Sequence, residues 1–124
     1  MKKVLIVEDD TLVLKAYHDK FVEDGFEVHD ALDGDRGLTM ALTMHPDAIL
    51  LDLNLPRLDG MTVMKKLRED VWGKKVPIVV ITNLELNDER LKGVVRDEPA
   101  FYLLKKNYTL NDLVRKVREV LHLE

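Results

Sequence analysis

Ala48-Ile49-Leu50-Leu51-Asp52-Leu53-Asn54-Leu55-Pro56 is an apolar run interrupted by a single acid. Its first four residues are apolar throughout and read as a short strand, so Asp52 falls just past the strand's end. On the N-terminal side, Gly34 to Met44 reads as a helix that His45-Pro46 closes. On the C-terminal side, Gly60 to Glu69 reads as another helix, with Met61, Met64 and Leu67 along one side. Asp59 is placed to cap that helix, and Pro56 and Gly60 shape the loop before it.

The same alternation extends in both directions. Lys3 to Val7 is a short apolar strand, and residues 11–24 form a helix with Leu14, Tyr17 and Phe21 on one face and Gly25 as its stop. Residues 26–31 make a second strand, more polar than the first and therefore expected at a sheet edge. Residues 78–81 are a β-branched fourth strand, and Phe101 to Leu104 a fifth. Between them, residues 87–95 read as a helix weakened by Gly93, at about 1 kcal/mol against alanine. Leu110, Leu113, Val114, Val117, Val120 and Leu121 form the i, i+3, i+4, i+7 stripe of a last helix, with Asn111 or Thr109 as its cap. Repeated strand–helix units predict an α/β fold: a parallel sheet with helices on both faces and right-handed crossovers.

A chain of 124 residues fits one compact domain over positions 1–124. At 46% hydrophobic and 34% charged, its composition is that of an ordinary globular chain with enough core to fold without staples. The absence of cysteine excludes disulfides, thiolate catalysis and cysteine-ligated metals. The longest apolar runs, about five residues, are far too short to span a membrane or to serve as a signal peptide, so a cytoplasmic location with no membrane partner is expected. A net charge of −4 argues against direct nucleic-acid binding by this domain. The chain begins at Met1 and stops with its last helix, which favours a stand-alone protein over a fragment of a longer one.

In a doubly wound sheet, chemistry gathers outside the carboxyl ends of the strands. Here those ends carry Glu8-Asp9-Asp10 after the first strand, Asp52 after the third, Thr82-Asn83 after the fourth and Lys105 after the fifth. Two carboxylates about 4 Å apart repel by about 4 kcal/mol at an effective dielectric of 20. Such a cluster either takes up protons or binds a cation. An all-oxygen donor set selects a hard divalent ion, Mg²⁺ first among them, which favours sites completed by phosphate oxygens. Thr82 and Lys105 are suited to the remaining phosphoryl oxygens, and Asp10 more to capping the first helix.

These motifs resemble the receiver domains of two-component response regulators, chemotaxis regulators among them. Val4-Leu5-Ile6-Val7-Glu8-Asp9-Asp10 resembles the family's first strand and acidic pair. Leu50 to Pro56 with Leu58-Asp59-Gly60 resembles its phosphoacceptor strand and loop. Pro77 to Thr82 resembles the strand that ends in the switch hydroxyl, and Tyr102-Leu103-Leu104-Lys105 the strand that ends in the lysine. The resemblance spans the chain. It implies a flavodoxin-like five-stranded sheet of order 2-1-3-4-5 with five helices.

For the site, the resemblance implies that Asp52 takes a phosphoryl group from a sensor histidine kinase or phosphotransfer protein. Asp9 would ligate Mg²⁺ directly, Glu8 mostly through water, and Asn54 through its backbone carbonyl, with Asp52 completing the set. Lys105 would pair with the phosphoryl group. Thr82 would hydrogen-bond it, and Tyr102 would swing inward as Thr82 moves. The surface of the fourth helix, fifth strand and last helix would then signal a downstream protein or output domain. The chain would be a switch rather than an enzyme, catalysing only its own phosphorylation and dephosphorylation.

Some positions depart from the family pattern. Lys106 replaces the usual proline after the lysine, which makes a cis bond improbable there. Asn83 replaces a small residue beside the switch hydroxyl and is expected to modulate hydrolysis of the acyl phosphate. Glu98-Pro99-Ala100 replaces the usual glycine-alanine pair, against membership of the dimerising DNA-binding subfamily. The alternatives are weaker. An aspartyl-phosphate phosphatase needs a second acid where this chain has Asn54, and a pseudo-receiver binding module has no need of the complete set Glu8, Asp9, Asp52, Thr82 and Lys105. The four histidines, His18, His29, His45 and His122, are scattered and suggest no function, and Trp72 is expected at the end away from the site.

Overall fold

The computed structural model describes residues 1–83, 89, 92, 93 and 96–123. Five strands, β1 (Lys3–Val7), β2 (Glu27–Ala31), β3 (Ala48–Leu51), β4 (Ile78–Thr82) and β5 (Phe101–Leu104), form one sheet of order β2-β1-β3-β4-β5. Every pairing is parallel. The helices are α1 (Thr11–Glu23), α2 (Gly34–Met44), α3 (Gly60–Glu69) and, at the C-terminus, α4 (Leu110–Val120). The helix predicted over residues 87–95 falls mostly outside the described residues; Glu89, Lys92 and Gly93 are helical, as is Arg96 just beyond.

The period-2 alternation of the central strands divides the core in two. Leu5, Val7, Ile49, Leu51, Ile78 and Val80 face α2 and α3, packing on Ala41, Val63, Met64 and Leu67. Val4, Ile6, Leu50, Val79 and Ile81 face the other way, onto Leu14, Tyr17 and Phe21 of α1 and Leu113, Val114 and Val117 of α4. Each fully buried aliphatic side chain contributes about 1.5–3 kcal/mol. Burial on both faces is why β1, β3 and β4 read as unbroken apolar runs. β2 is the edge strand its polarity predicted.

Each of α1 to α4 begins on a side-chain oxygen that accepts from an otherwise unpaired N–H group. Asp10 accepts from Leu12 and Val13, Asp33 from Arg36, Asp59 from Thr62 and Thr109 from Asp112. Thr109, not Asn111, therefore caps the last helix, and Asp112 answers it by accepting from the Thr109 N–H. Element ends shift by one residue from expectation for local reasons. α1 stops at Glu23 because the chain turns through Gly25 at φ 93. β2 starts at Glu27 because Phe26 turns inward, edge-on to Phe21 with centroids 5.5 Å apart. β4 runs on to Thr82, which pairs with Leu104. No cis peptide bond occurs among the described residues, and Lys105–Asn107 forms a 3-10 turn where the family's proline would sit.

Candidate functional site

Backbone hydrogen bonds carry the strand ladders one residue past the ends of β1 and β3. Glu8 N donates to Ala31 O at 3.0 Å, and Asp52 N donates to Val7 O at 3.0 Å. Both carboxylates are therefore held by the sheet rather than by a free loop. Glu8 is 1% exposed and Asp52 4%. Asp9 is exposed at the rim. One carboxylate oxygen from each of Glu8, Asp9 and Asp52 lies within 4.8 Å of the others. Such a hard, all-oxygen, anionic set fits a small divalent cation.

Local contacts orient the two buried acids. Glu8 accepts from Asp10 N at 3.0 Å, and Asp52 accepts from Asn54 N at 3.1 Å. Gly60 brings the start of α3 against the chain just past β3: a Cβ there would lie 2.3 Å from the Asp52 carbonyl oxygen and 2.6 Å from Leu53 Cα. No side chain fits, so the glycine is required by a close approach rather than by a turn.

The Lys105 ammonium bridges the two buried carboxylates, donating to Glu8 at 2.5 Å and to Asp52 at 2.9 Å. Burial alone would lower the Lys105 pKa, but hydrogen bonds to Glu8 and Asp52 outweigh it and hold the ammonium well above the ordinary lysine range. Burial pushes the Glu8 carboxyl up, against the opposing pull of Lys105 and the Asp10 N–H, and the Asp52 charge adds to the rise. A lysine can thus act as counter-cation to a cluster whose charge no other protein cation shares at hydrogen-bonding distance among the described residues.

Thr82 is fully buried at the end of β4, level with Leu104, so it stands beside Lys105 at the neighbouring strand end. Asn83 follows in an exposed bend. Asn54 is exposed beside Asp52. Tyr102 lies opposite Val80 and packs, half-buried, on the core beneath α2 and α3. The structure thus collects Glu8, Asp9, Asp52, Asn54, Thr82, Asn83 and Lys105 at one sheet edge, with Tyr102 two pairs back along β5. Asp10 and Asp59 are helix caps, as expected.

Two contributions were not visible from motif order. One is the Lys105–Glu8 bridge, between residues 97 apart in sequence. The other is Tyr17, read only as part of an apolar helix face. Burial pushes its phenol to about 12, and the charges of Lys105, Glu8 and Asp52 all bear on it. The phenol hydroxyl of Tyr17, the one polar group on the Leu14, Tyr17 and Phe21 face, is the sequence signal.

With this geometry in view, comparison with known proteins is direct. The family model of the response regulator receiver domain matches residues 4–118. The chain belongs to that family. It is 31% identical over 121 residues to the DNA-binding dual master transcriptional regulator RpaA of Synechocystis, covering 98% of this chain and 49% of that protein. It is 37% identical over 119 residues to the transcriptional regulatory protein PrrA of Mycobacterium tuberculosis, covering 96% and 49%. The chain spans about half the length of these relatives. Among solved structures, it matches the chemotaxis response regulator CheY4 of Vibrio cholerae at TM-score 0.86 and 27% identity, covering 97% of this chain and 98% of that one. It matches the receiver domain of sensor histidine kinase PA1611 from Pseudomonas aeruginosa, solved with magnesium in its active-site cleft, at TM-score 0.84 and 27% identity, covering 95% of each chain. As a receiver domain, the chain is a regulatory module rather than a classical enzyme. Among the described residues, no helix is long and apolar enough to cross a membrane.

Proposed function

We propose that this chain is the phosphoacceptor switch of a two-component system, with Asp52 as the acceptor. The observation that carries the reading is the convergence of Glu8, Asp9 and Asp52 within 4.8 Å beside the Lys105 ammonium. Asp9, Asp52, Glu8 through water and the Asn54 carbonyl would hold Mg²⁺, which, when bound, supplies charge neutralisation to the carboxylates and to phosphoryl oxygens.

A carboxylate oxygen of Asp52 bonds to phosphorus while the P–N bond of a kinase or phosphotransfer-protein phosphohistidine breaks. The imidazole leaves with the electron pair and takes a proton from solvent. Lys105 and Thr82 hold the phosphoryl oxygens. The group adds about −1.5 to −2 charges and three acceptors, and that local change biases a two-state element. Thr82 is drawn toward the new oxygens, and Tyr102 follows inward. The surface around β5 and α4 then signals a downstream protein or output domain. Residues 1–124 act as one receiver unit, working in the cytoplasm and without direct contact to nucleic acid.

Intact-mass measurement after incubation with acetyl phosphate tests the reading. A gain of one phosphoryl group is expected only with Mg²⁺ and only with Asp52 present. Labelling that persists in Asp52→Asn would show that the acceptor is another residue, and no labelling of either protein would favour a pseudo-receiver.

A further inference from the structure

At the opposite end of the sheet, where β3 and β4 begin, lies a groove of about 520 Å³ that the phosphoacceptor chemistry does not use. His45 and Trp72 form one wall, stacked with ring centroids 4.4 Å apart and planes 12° from parallel. His45 reaches this position as the left-handed residue closing α2, at φ 50. Pro46 and Val76 form the buried floor, and Val71, 86% exposed, projects at the rim.

The segment that presents Trp72, Lys74 and Lys75 is rigidly built. Arg68 of α3 donates from one guanidinium nitrogen to Gly73 O at 2.6 Å and Val76 O at 2.8 Å, and from the others to Asp97 O at 2.8 Å and Glu98 O at 2.9 Å. Asp70 accepts from Gly73 N at 2.9 Å, and a Cβ on Gly73 would lie 2.0 Å from Leu67 O. A surface fixed in advance loses little conformational entropy when a partner docks.

Its charge is also distinctive. Lys74 and Lys75 are exposed and make no ion pair among the described residues. Asp47, the acid that lines the groove, already accepts from the backbone N–H of Lys3 at 2.7 Å. A cationic patch beside an aromatic stack thus sits on a chain whose net charge is −4. Lys74 also borders a neighbouring groove with Arg68, Arg96, Asp97 and Glu98, where basic groups outnumber acids, so an acidic ligand meets a locally favourable field.

We propose that this groove docks an acidic segment of a partner protein that carries an aromatic side chain. Its carboxylates meet Lys74 and Lys75, and its ring packs on the His45–Trp72 wall beside Val71. Because the groove lies at the strand starts, a partner seated there leaves Asp52 accessible.

Trp72 is the chain's single tryptophan, so its fluorescence reads the groove directly. The probe is a short synthetic peptide of aspartate and glutamate with one central phenylalanine, titrated into the whole chain. A saturable change is expected. It should weaken about tenfold in the Lys74→Glu/Lys75→Glu variant and likewise at high salt, while Lys74→Arg/Lys75→Arg keeps it. Unchanged thermal unfolding of both variants shows that the fold is intact. Absence of binding, equal binding of a lysine-based peptide, or equal binding by the Glu variant would overturn the proposal. So would tighter, Lys74/Lys75-dependent binding of an oligonucleotide. Self-association that the Glu variant abolishes would reassign the groove to a second copy of the chain.

Discussion

Arg57, in the loop after β3, takes the left-handed conformation at φ 69, which costs a non-glycine residue about 1–2 kcal/mol. What it gains is a pair with Asp35 at 3.4 Å, with both side chains more than half exposed, and such pairs contribute little. Arg57→Gly is therefore expected to raise stability by up to about 1 kcal/mol, even after glycine's greater unfolded-state entropy. Denaturant unfolding measures it, and a destabilised variant would mean that the Asp35 contact outweighs the strain. Asn83 is the second residue with a local consequence. It stands exposed after the buried Thr82, and in the proposed phosphorylated state its side chain would obstruct the water that attacks the acyl phosphate. Asn83→Ala should shorten the phosphoryl lifetime about threefold, a barrier change of about 0.6 kcal/mol. Equal decay rates for the two phosphoproteins would remove Asn83 from the mechanism.

Among the elements, α4 begins on a capping box that contains a titratable group. Asp112 accepts from Thr109 N at 2.9 Å, and its own backbone N–H donates to the Thr109 hydroxyl oxygen at 3.2 Å, closing a capping box. The Thr109 N–H, foremost, holds the Asp112 carboxyl below its ordinary value of 3.8. A folded-state pKa below the unfolded one means the contribution is full above 3.8 and disappears as pH falls through the lower folded value. Amide protection in the first turn of α4, taken relative to the intrinsic exchange rate at each pH, should therefore fall below about pH 4, and Asp112→Ala should show the lower protection already at neutral pH. Pattern alone located this element well: its apolar stripe is Leu113, Val114 and Val117 in the core, with Val120 and Leu121 at the edge. It left the cap open between Thr109 and Asn111, because both residue types cap helices and only the backbone path decides which one is extended.

For the whole molecule, the acidic edge concentrates like charge that a bound cation would offset. Lys105 is the only protein cation bonded to Glu8 and Asp52 among the described residues, and Asp9 adds a further charge nearby. A cation that binds the folded chain alone must raise its stability by mass action. At ten times its dissociation constant, Mg²⁺ should add about 1.4 kcal/mol and raise the melting temperature by about 5 °C. Asp9→Asn, at an exposed position, should leave the metal-free melting temperature unchanged and abolish most of the increment. An equal rise in that variant would place the ion elsewhere.

Much of this chain was determined locally and was legible in its sequence. β1, β3 and β4 are apolar runs because both faces are buried, the helices carry their own periodicity, and Asp10 and Asp59 cap within three residues of their donors. The strand-end acids, Thr82 and Lys105 follow directly from those boundaries. Tertiary structure decided what depends on strand order and close approach. Lys105 reaches Glu8 only because β5 and β1 end at the same edge of one parallel sheet. Gly60 is required by a carbonyl belonging to a different element, and Arg68 by carbonyls from two loops. His45 and Trp72 carried no periodic signal that joined them, and their stack exists because α2 and α3 end side by side. Short-range backbone and burial preferences are written along the chain, whereas contacts between distant residues acquire their geometry only when the sheet closes.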